Sequence, residues 1–135
     1  MLKYILGAFF ILHGLVHLLY FGQSHRLFEL RPGMAWPDGS WILSKLLGDD
    51  TTRLIASISL VLAALGFFVS GSGFLFQQPW WRPLVVGISI FSSAAYIILW
   101  DGKLQNFADK GFVAILINLA ILVALLVFNW PEFES

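Results

Sequence analysis

The chain has 135 residues, of which 59% are hydrophobic and 12% are charged. A soluble domain is about 45–50% apolar and about 25% charged, so this composition favours a protein that lies largely in lipid. Eight basic and eight acidic residues give a net charge of zero, which argues against a nucleic acid as the partner. Because the chain has no cysteine, it cannot form disulfides, thiolate-bound iron–sulfur clusters or a covalent c-type haem.

Four apolar segments are long enough to cross a hydrocarbon core, which needs roughly 20 residues of helix. They predict helices at about 2–24, 52–70, 83–100 and 111–130. The first segment exceeds the apolar region of a signal peptide and lacks a small-residue cleavage site after it, so we expect it to be retained. The sequence therefore predicts an all-α integral membrane four-helix bundle, with residues 1–135 as a single transmembrane domain.

The connection between the first two predicted helices, called loop 1, is longer than packing two neighbours requires. Asp38 or Ser40 can cap a helix, and an amphipathic stretch with Trp41, Leu46 and Leu47 follows. We expect a short helix there that lies in the membrane interface, with a plain surface loop as the alternative. The two later connections are short, so the helices that they join should be antiparallel neighbours.

The orientation of the bundle follows from its lysines and arginines, which concentrate on the cytoplasmic side of membrane proteins. Loops 1 and 3, with the adjoining helix ends, carry most of the basic residues: Arg26, Arg31, Lys45, Arg53, Lys103 and Lys110. The opposite side has Lys3 and Arg82. We therefore expect a multi-pass protein with loops 1 and 3 in the cytoplasm and both termini outside.

Polar side chains at membrane depth are costly unless they are paired or line a cavity, so their positions are informative. They recur at helical spacing on the first, third and fourth predicted helices and fall in the half of the membrane next to loop 1, with His13 near the midplane. The predicted pocket residues are His13, His17, Tyr20, Ser92, Tyr96, Trp100 and Asn118. We expect loop 1 to cover this pocket and Asp101 to lie at its mouth.

The same residues allow other interpretations. Small and polar residues at this spacing also serve helix packing, and Asn118 could simply bond to a neighbouring helix. Neutral imidazoles one turn apart, such as His13 and His17, can ligate a metal, with Asp101 as a candidate third ligand. The pair resembles one histidine box of membrane di-iron hydroxylases and desaturases, which carry several such boxes. A b-type haem would require a dimer, because every histidine lies on the first helix or its extension.

The leading hypothesis is a small membrane protein that binds a small amphiphile or lipid in a half-membrane pocket. One alternative is a membrane-embedded enzyme that uses His17 for proton transfer or as a metal ligand. Another is an accessory subunit that packs in a larger membrane complex or forms a homo-oligomer. The residue pattern identifies neither the ligand nor a cofactor.

Overall fold

A computed structural model describes residues 2–30, 36–101 and 111–128. These residues are 80% helical and contain no strand within the described ranges, which confirms the predicted all-helical class. The elements are α1 (Leu2–Ser24), α2 (Leu43–Leu47), α3 (Asp49–Leu75), α4 (Trp81–Leu99) and α5 (Phe112–Leu122), and α5 continues as a π-helical turn (Val123–Val127).

Three helices, α1, α3 and α4, are long and apolar enough to cross a membrane by length and composition. Their mean hydropathies are 1.9, 2.2 and 1.7. The fourth predicted span corresponds to a shorter apolar helix, Phe112–Val127. The last residues of the predicted range 111–130 lie outside the described residues.

Helix α3 is longer at both ends than the predicted range 52–70. It begins at Asp49 because two acidic residues, Asp49 and Asp50, occupy its first turn, where the positive end of the helix dipole favours them. It continues through Gly71 and Gly73, which the sequence assigned to a connection. A Cβ on Gly71 would lie 3.1 Å from the carbonyl oxygen of Gly7, so this glycine serves close packing inside a helix.

The main packing interface joins α1 and α3, and α4 packs on α3 while α5 packs on α4. Glycines allow α1 and α3 to approach each other closely. A Cβ on Gly14 would lie 2.9 Å from the carbonyl oxygen of Ala64. Backbone contact of this kind is typical of helices that associate in lipid, where small residues maximise van der Waals contact.

The interior consists of two apolar clusters separated along the helices. The cluster next to loop 1 contains Tyr20, Trp36, Ala56, Leu60, Tyr96, Leu99, Ala114 and Ile115. The cluster at the other end contains Phe10, Phe67, Phe74, Val85, Ile121 and Leu125. His13 and His17 lie on α1 between the levels of Phe10 and Tyr20, so these two buried histidines lie where the two clusters meet.

Loop 1 contains a helix, α2, that is shorter than the predicted amphipathic stretch. The side chain of Ser40 accepts a hydrogen bond from the backbone N–H of Leu43 at 3.3 Å, but the N-cap residue of α2 is Ile42, which makes no side-chain capping bond, instead of the expected Asp38 or Ser40. The side chains of Leu46 and Leu47 are exposed on the protein surface. That α2 lies in a membrane interface stays a prediction.

Candidate functional site

The buried face of α1 presents three of the predicted pocket residues, His13, His17 and Tyr20. Their spacing of four and three residues places them on one side of the helix, and that side faces α3, α4 and α5. Ser92 and Tyr96 are buried on α4, and Asn118 is buried on α5. His17, Tyr96 and Asn118 are each 0% exposed, so the predicted polar stripes meet inside the protein.

His17 is held by two hydrogen bonds of opposite direction. Its Nδ1 lies 2.8 Å from the carbonyl oxygen of His13. Because a carbonyl oxygen only accepts, Nδ1 of the neutral ring carries the hydrogen and Nε2 is the acceptor. The Ser92 hydroxyl therefore donates to Nε2 of His17, at an O···N distance of 2.6 Å. This pair links α1 to α4.

Asn118 connects the same network to α5. Its Nδ2 donates to the hydroxyl oxygens of Ser92 at 3.0 Å and Ser93 at 3.1 Å. Its Oδ1 accepts from Nε2 of His13 at 2.6 Å, so the neutral ring of His13 has its lone pair on Nδ1. His13, His17, Ser92 and Asn118 thus form one closed set of hydrogen bonds, called here the polar network.

Four buried polar atoms near the network have no hydrogen-bond partner in the part of the chain that the structure describes. They are Nδ1 of His13, Oγ of Ser89, Oη of Tyr96 and Nε1 of Trp36. Their residues are at most 3% exposed. A buried polar atom without a partner costs about 1–3 kcal/mol, and native proteins contain few of them.

Aromatic rings enclose the loop 1 side of the network. The ring of Tyr96 packs against His17, Tyr20 and Trp36, with centroid distances of 5.6, 5.2 and 6.3 Å. Trp36 in turn contacts Tyr20 at 5.7 Å in an edge-to-face arrangement. We call these four residues the aromatic box. Gly111 makes room for it, because a Cβ there would lie 2.0 Å from Cδ1 of Tyr96.

Trp36 is the box residue that sequence reasoning missed. Helical spacing locates residues on helices, whereas Trp36 lies in a connection that has no period. The available signal was a tryptophan next to a proline in a loop longer than its helices need.

The end of α1 and the start of α3 fix the backbone around Trp36. The carbonyl oxygen of Trp36 accepts from Nε2 of Gln23 at 3.2 Å and from Nη1 of Arg26 at 3.0 Å. The carboxylate of Asp38 pairs with Arg26 at 2.9 Å and with Arg53 at 2.8 Å. These polar contacts therefore hold the part of loop 1 that carries Trp36 and Asp38 against the end of α1 and the start of α3.

Two residues predicted at the site lie at its edge. The ring of Trp100 packs edge-to-face on Phe112 at 5.5 Å, and its carbonyl oxygen accepts from the N–H of Trp41 at 2.8 Å. Asp101 lies beside Gly39, where an added Cβ would be 3.9 Å from the Cβ of Asp101. Both residues thus border described parts of loop 1.

The donor set for a metal is small. Within the described ranges, no group of three or more His, Asp or Glu side chains is placed to hold an ion. Both ring nitrogens of His17 and Nε2 of His13 already make protein hydrogen bonds. Among the histidine and aspartate candidates, His13 Nδ1 is the ring nitrogen with a lone pair that no described residue engages.

Outside the polar network, the protein has apolar grooves on its surface. One of about 180 Å³ lies between α1 and α5 and is lined by Leu6, Phe9, Phe10, Ala120, Ile121, Ala124 and Leu125.

No protein-family model, curated protein or solved structure matches this chain. The polar network and the aromatic box are therefore the basis on which a function can be argued.

Proposed function

We propose that this chain is an integral membrane four-helix bundle that binds a small amphiphile beneath loop 1. The polar end of the amphiphile lies among the aromatic box and the polar network, and its apolar body lies among the surrounding aliphatic side chains. The observation that carries the proposal is the group of four buried polar atoms without partners: His13 Nδ1, Ser89 Oγ, Tyr96 Oη and Trp36 Nε1.

The membrane part of the proposal is supported by the surface as well as by helix length. Large apolar side chains are exposed along every long helix, for example Leu12, Leu62, Ile90 and Leu116. In water such a surface would be an aggregation hazard, whereas lipid tails solvate it. The basic residues favour loops 1 and 3 in the cytoplasm and both termini outside.

A binding role accounts for features that helix packing alone does not explain. Interfaces between packed helices use small residues, and the polar groups that such interfaces bury form hydrogen bonds with one another. Here Asn118 and Ser92 fix the two histidines, yet the neighbouring hydroxyl of Tyr96 and indole N–H of Trp36 have no partner within the described ranges. A pocket with aromatic walls and a few convergent polar groups is typical of a small-molecule site.

The test compares two substitutions on α1 by mass spectrometry of the amphiphiles that copurify with the protein in a mild detergent. His17→Leu removes the bond to Ser92 and the ring that supports Tyr96, so we expect the retained amphiphile to be lost. Leu19→Ala changes a side chain that is exposed on the same helix, so retention should be unchanged. Equal retention by wild type and His17→Leu would refute the proposal.

A second candidate is a membrane-embedded enzyme, which the distance of 2.6 Å between His17 Nε2 and Ser92 Oγ favours. A neutral imidazole at this distance can accept the hydroxyl proton when serine reacts. This candidate predicts that the wild-type protein converts the retained amphiphile and that His17→Leu stops the conversion. Release of the unaltered amphiphile from the wild type would favour binding alone. A stoichiometric protein that copurifies would instead favour the accessory subunit.

A further inference from the structure

We infer that the amphiphile presents an uncharged oxygen acceptor, of the ketone, quinone or ester carbonyl type, to the N–H of Trp36 and the O–H of Tyr96. The inference rests on the proposed function and names the class of ligand that the aromatic box takes. It is carried by the chemistry of two unpartnered buried atoms on rings that contact each other.

Both atoms are hydrogen-bond donors. The indole Nε1–H of Trp36 donates and cannot accept, and a phenolic O–H donates readily. Neither has a partner among the described residues, and the two side chains are 2% and 0% exposed. The centroids of the two rings lie 6.3 Å apart with an interplanar angle of 30°, so the two donors are carried by neighbouring rings of the box. An oxygen with free lone pairs can accept a hydrogen bond from either donor.

The charges around the box favour a neutral ligand. Asp38 is paired with Arg26 and Arg53, and Arg53 also contacts Asp50. These charged groups therefore compensate one another at the edge of loop 1. A charged headgroup inside the box would be buried without a counter-ion from this set, which is far more costly than burying a neutral carbonyl.

The surroundings of the two donors suit an apolar body. Ala56, Leu60, Leu99 and Ile115 belong to the same buried cluster as Trp36 and Tyr96. Trp36 is held by hydrogen bonds to its backbone from Gln23 and Arg26, and its ring packs on Tyr20 and Tyr96.

The test measures binding of matched probes to the full chain in lipid nanodiscs by native mass spectrometry. The neutral carbonyl probes are 2-tridecanone, methyl dodecanoate and a decyl-substituted benzoquinone, which distinguish ketone, ester and quinone sources. Tridecane lacks an acceptor, whereas dodecanoate and dodecyltrimethylammonium are charged. We expect at least one carbonyl probe to bind about tenfold or more tightly than tridecane and both ions, as one or two hydrogen bonds would give.

Two variants locate the bonds. Tyr96→Phe and Trp36→Phe should each weaken the best carbonyl probe by about five- to tenfold and leave tridecane binding unchanged. Tyr4→Phe, at an exposed tyrosine, is the matched control and should have no effect. Because Phe fills the space of Tyr, the first variant remains decisive if Trp36→Phe does not fold.

The outcomes separate the two proposals. If tridecane or a charged probe binds as well as every carbonyl probe, or if Tyr96→Phe binds the carbonyl like wild type, the inferred ligand class is wrong while amphiphile binding stands. If neither the probes nor any copurified amphiphile binds, the proposed function itself fails.

Discussion

The two buried histidines differ in what remains free on their rings. Both nitrogens of His17 make protein hydrogen bonds, so this ring is fixed in orientation, and it contacts Ser92 and Tyr96. His13 uses Nε2 for Asn118 and has its Nδ1 lone pair unpartnered among the described residues. Any group that donates a hydrogen bond to the network is therefore expected at His13.

The shape of the aromatic box depends on a glycine that the sequence does not mark as part of the site. Gly111 precedes α5 with φ of +99°, and an added Cβ would lie 2.0 Å from Cδ1 of Tyr96. We predict that Gly111→Ala lowers stability by at least about 1–2 kcal/mol, since alanine disfavours positive φ and the buried tyrosine must also shift. Unfolding in detergent, followed by circular dichroism, measures the change.

Gly87 provides the matched control for this prediction. It lies inside α4, and a Cβ there would have no atom within 4 Å. Gly87→Ala should raise stability by about 0.5–1 kcal/mol, because alanine loses less backbone entropy in a helix. If both substitutions have the same effect, Gly111 is not required for the position of Tyr96.

At the level of elements, one carboxylate of loop 1 links two arginines from the helices on either side of it. Asp38 joins the end of α1 to the start of α3 through Arg26 and Arg53. We predict that Asp38→Asn increases amide hydrogen exchange in residues 36–41 and that the wild type approaches the same exchange at high salt. Partly exposed ion pairs contribute only about 0–1 kcal/mol each and are screened, so the fold itself should persist.

Asp50 supplies the control for loop 1, because its carboxylate also contacts Arg53 but its side chain is 94% exposed and lies on α3. Asp50→Asn removes one negative charge beside Arg53, as Asp38→Asn does, but it leaves loop 1 bound through Asp38. Exchange in residues 36–41 should therefore stay at the wild-type level. Equal acceleration by both variants would show that Asp38 does not hold the loop.

Helical spacing found the elements that face one another but not the element that covers them. The steps from His13 to His17 and from Ser92 to Tyr96 place side chains on one face, so their burial follows from period alone. Trp36 follows no period. Its place depends on bonds from Gln23 and Arg26, which are tertiary contacts that no local pattern encodes.

The ends of the helices were less predictable for a related reason. Glycine has a low helix propensity, so Gly71 and Gly73 favour a helix that ends before them. In the structure they remain inside α3, because Gly71 packs against α1 and Gly73 packs against Trp80. Packing between helices outweighs the low helix propensity of these glycines. This packing can be assessed only when the neighbouring helix is known.

For the whole molecule, the two ends of the helices differ in chemistry. The end next to loop 1 carries the aromatic box and the ion pairs of Asp38, and the polar network lies farther along the helices, between this end and the other. The other end is an apolar cluster around Phe10, Phe67 and Phe74. If the protein binds an amphiphile as proposed, a ligand arriving from the loop 1 side meets polar groups first, and the orientation of the protein decides which compartment supplies it.

This orientation is tested with single cysteines in the naturally cysteine-free chain. We predict that Ser44→Cys in α2 reacts with a membrane-impermeant maleimide only from the cytoplasmic side. Gln78→Cys, between α3 and α4, and Ser135→Cys, outside the described residues, should react only from the opposite side. The expectation rests on six basic residues near loops 1 and 3 against two on the other side.

The unsubstituted chain controls for background, and permeabilised cells should label all three variants. Labelling of Ser44→Cys and Gln78→Cys from the same side would contradict a span at α3, whereas opposite sides in reverse order would place loop 1 and its site outside the cell.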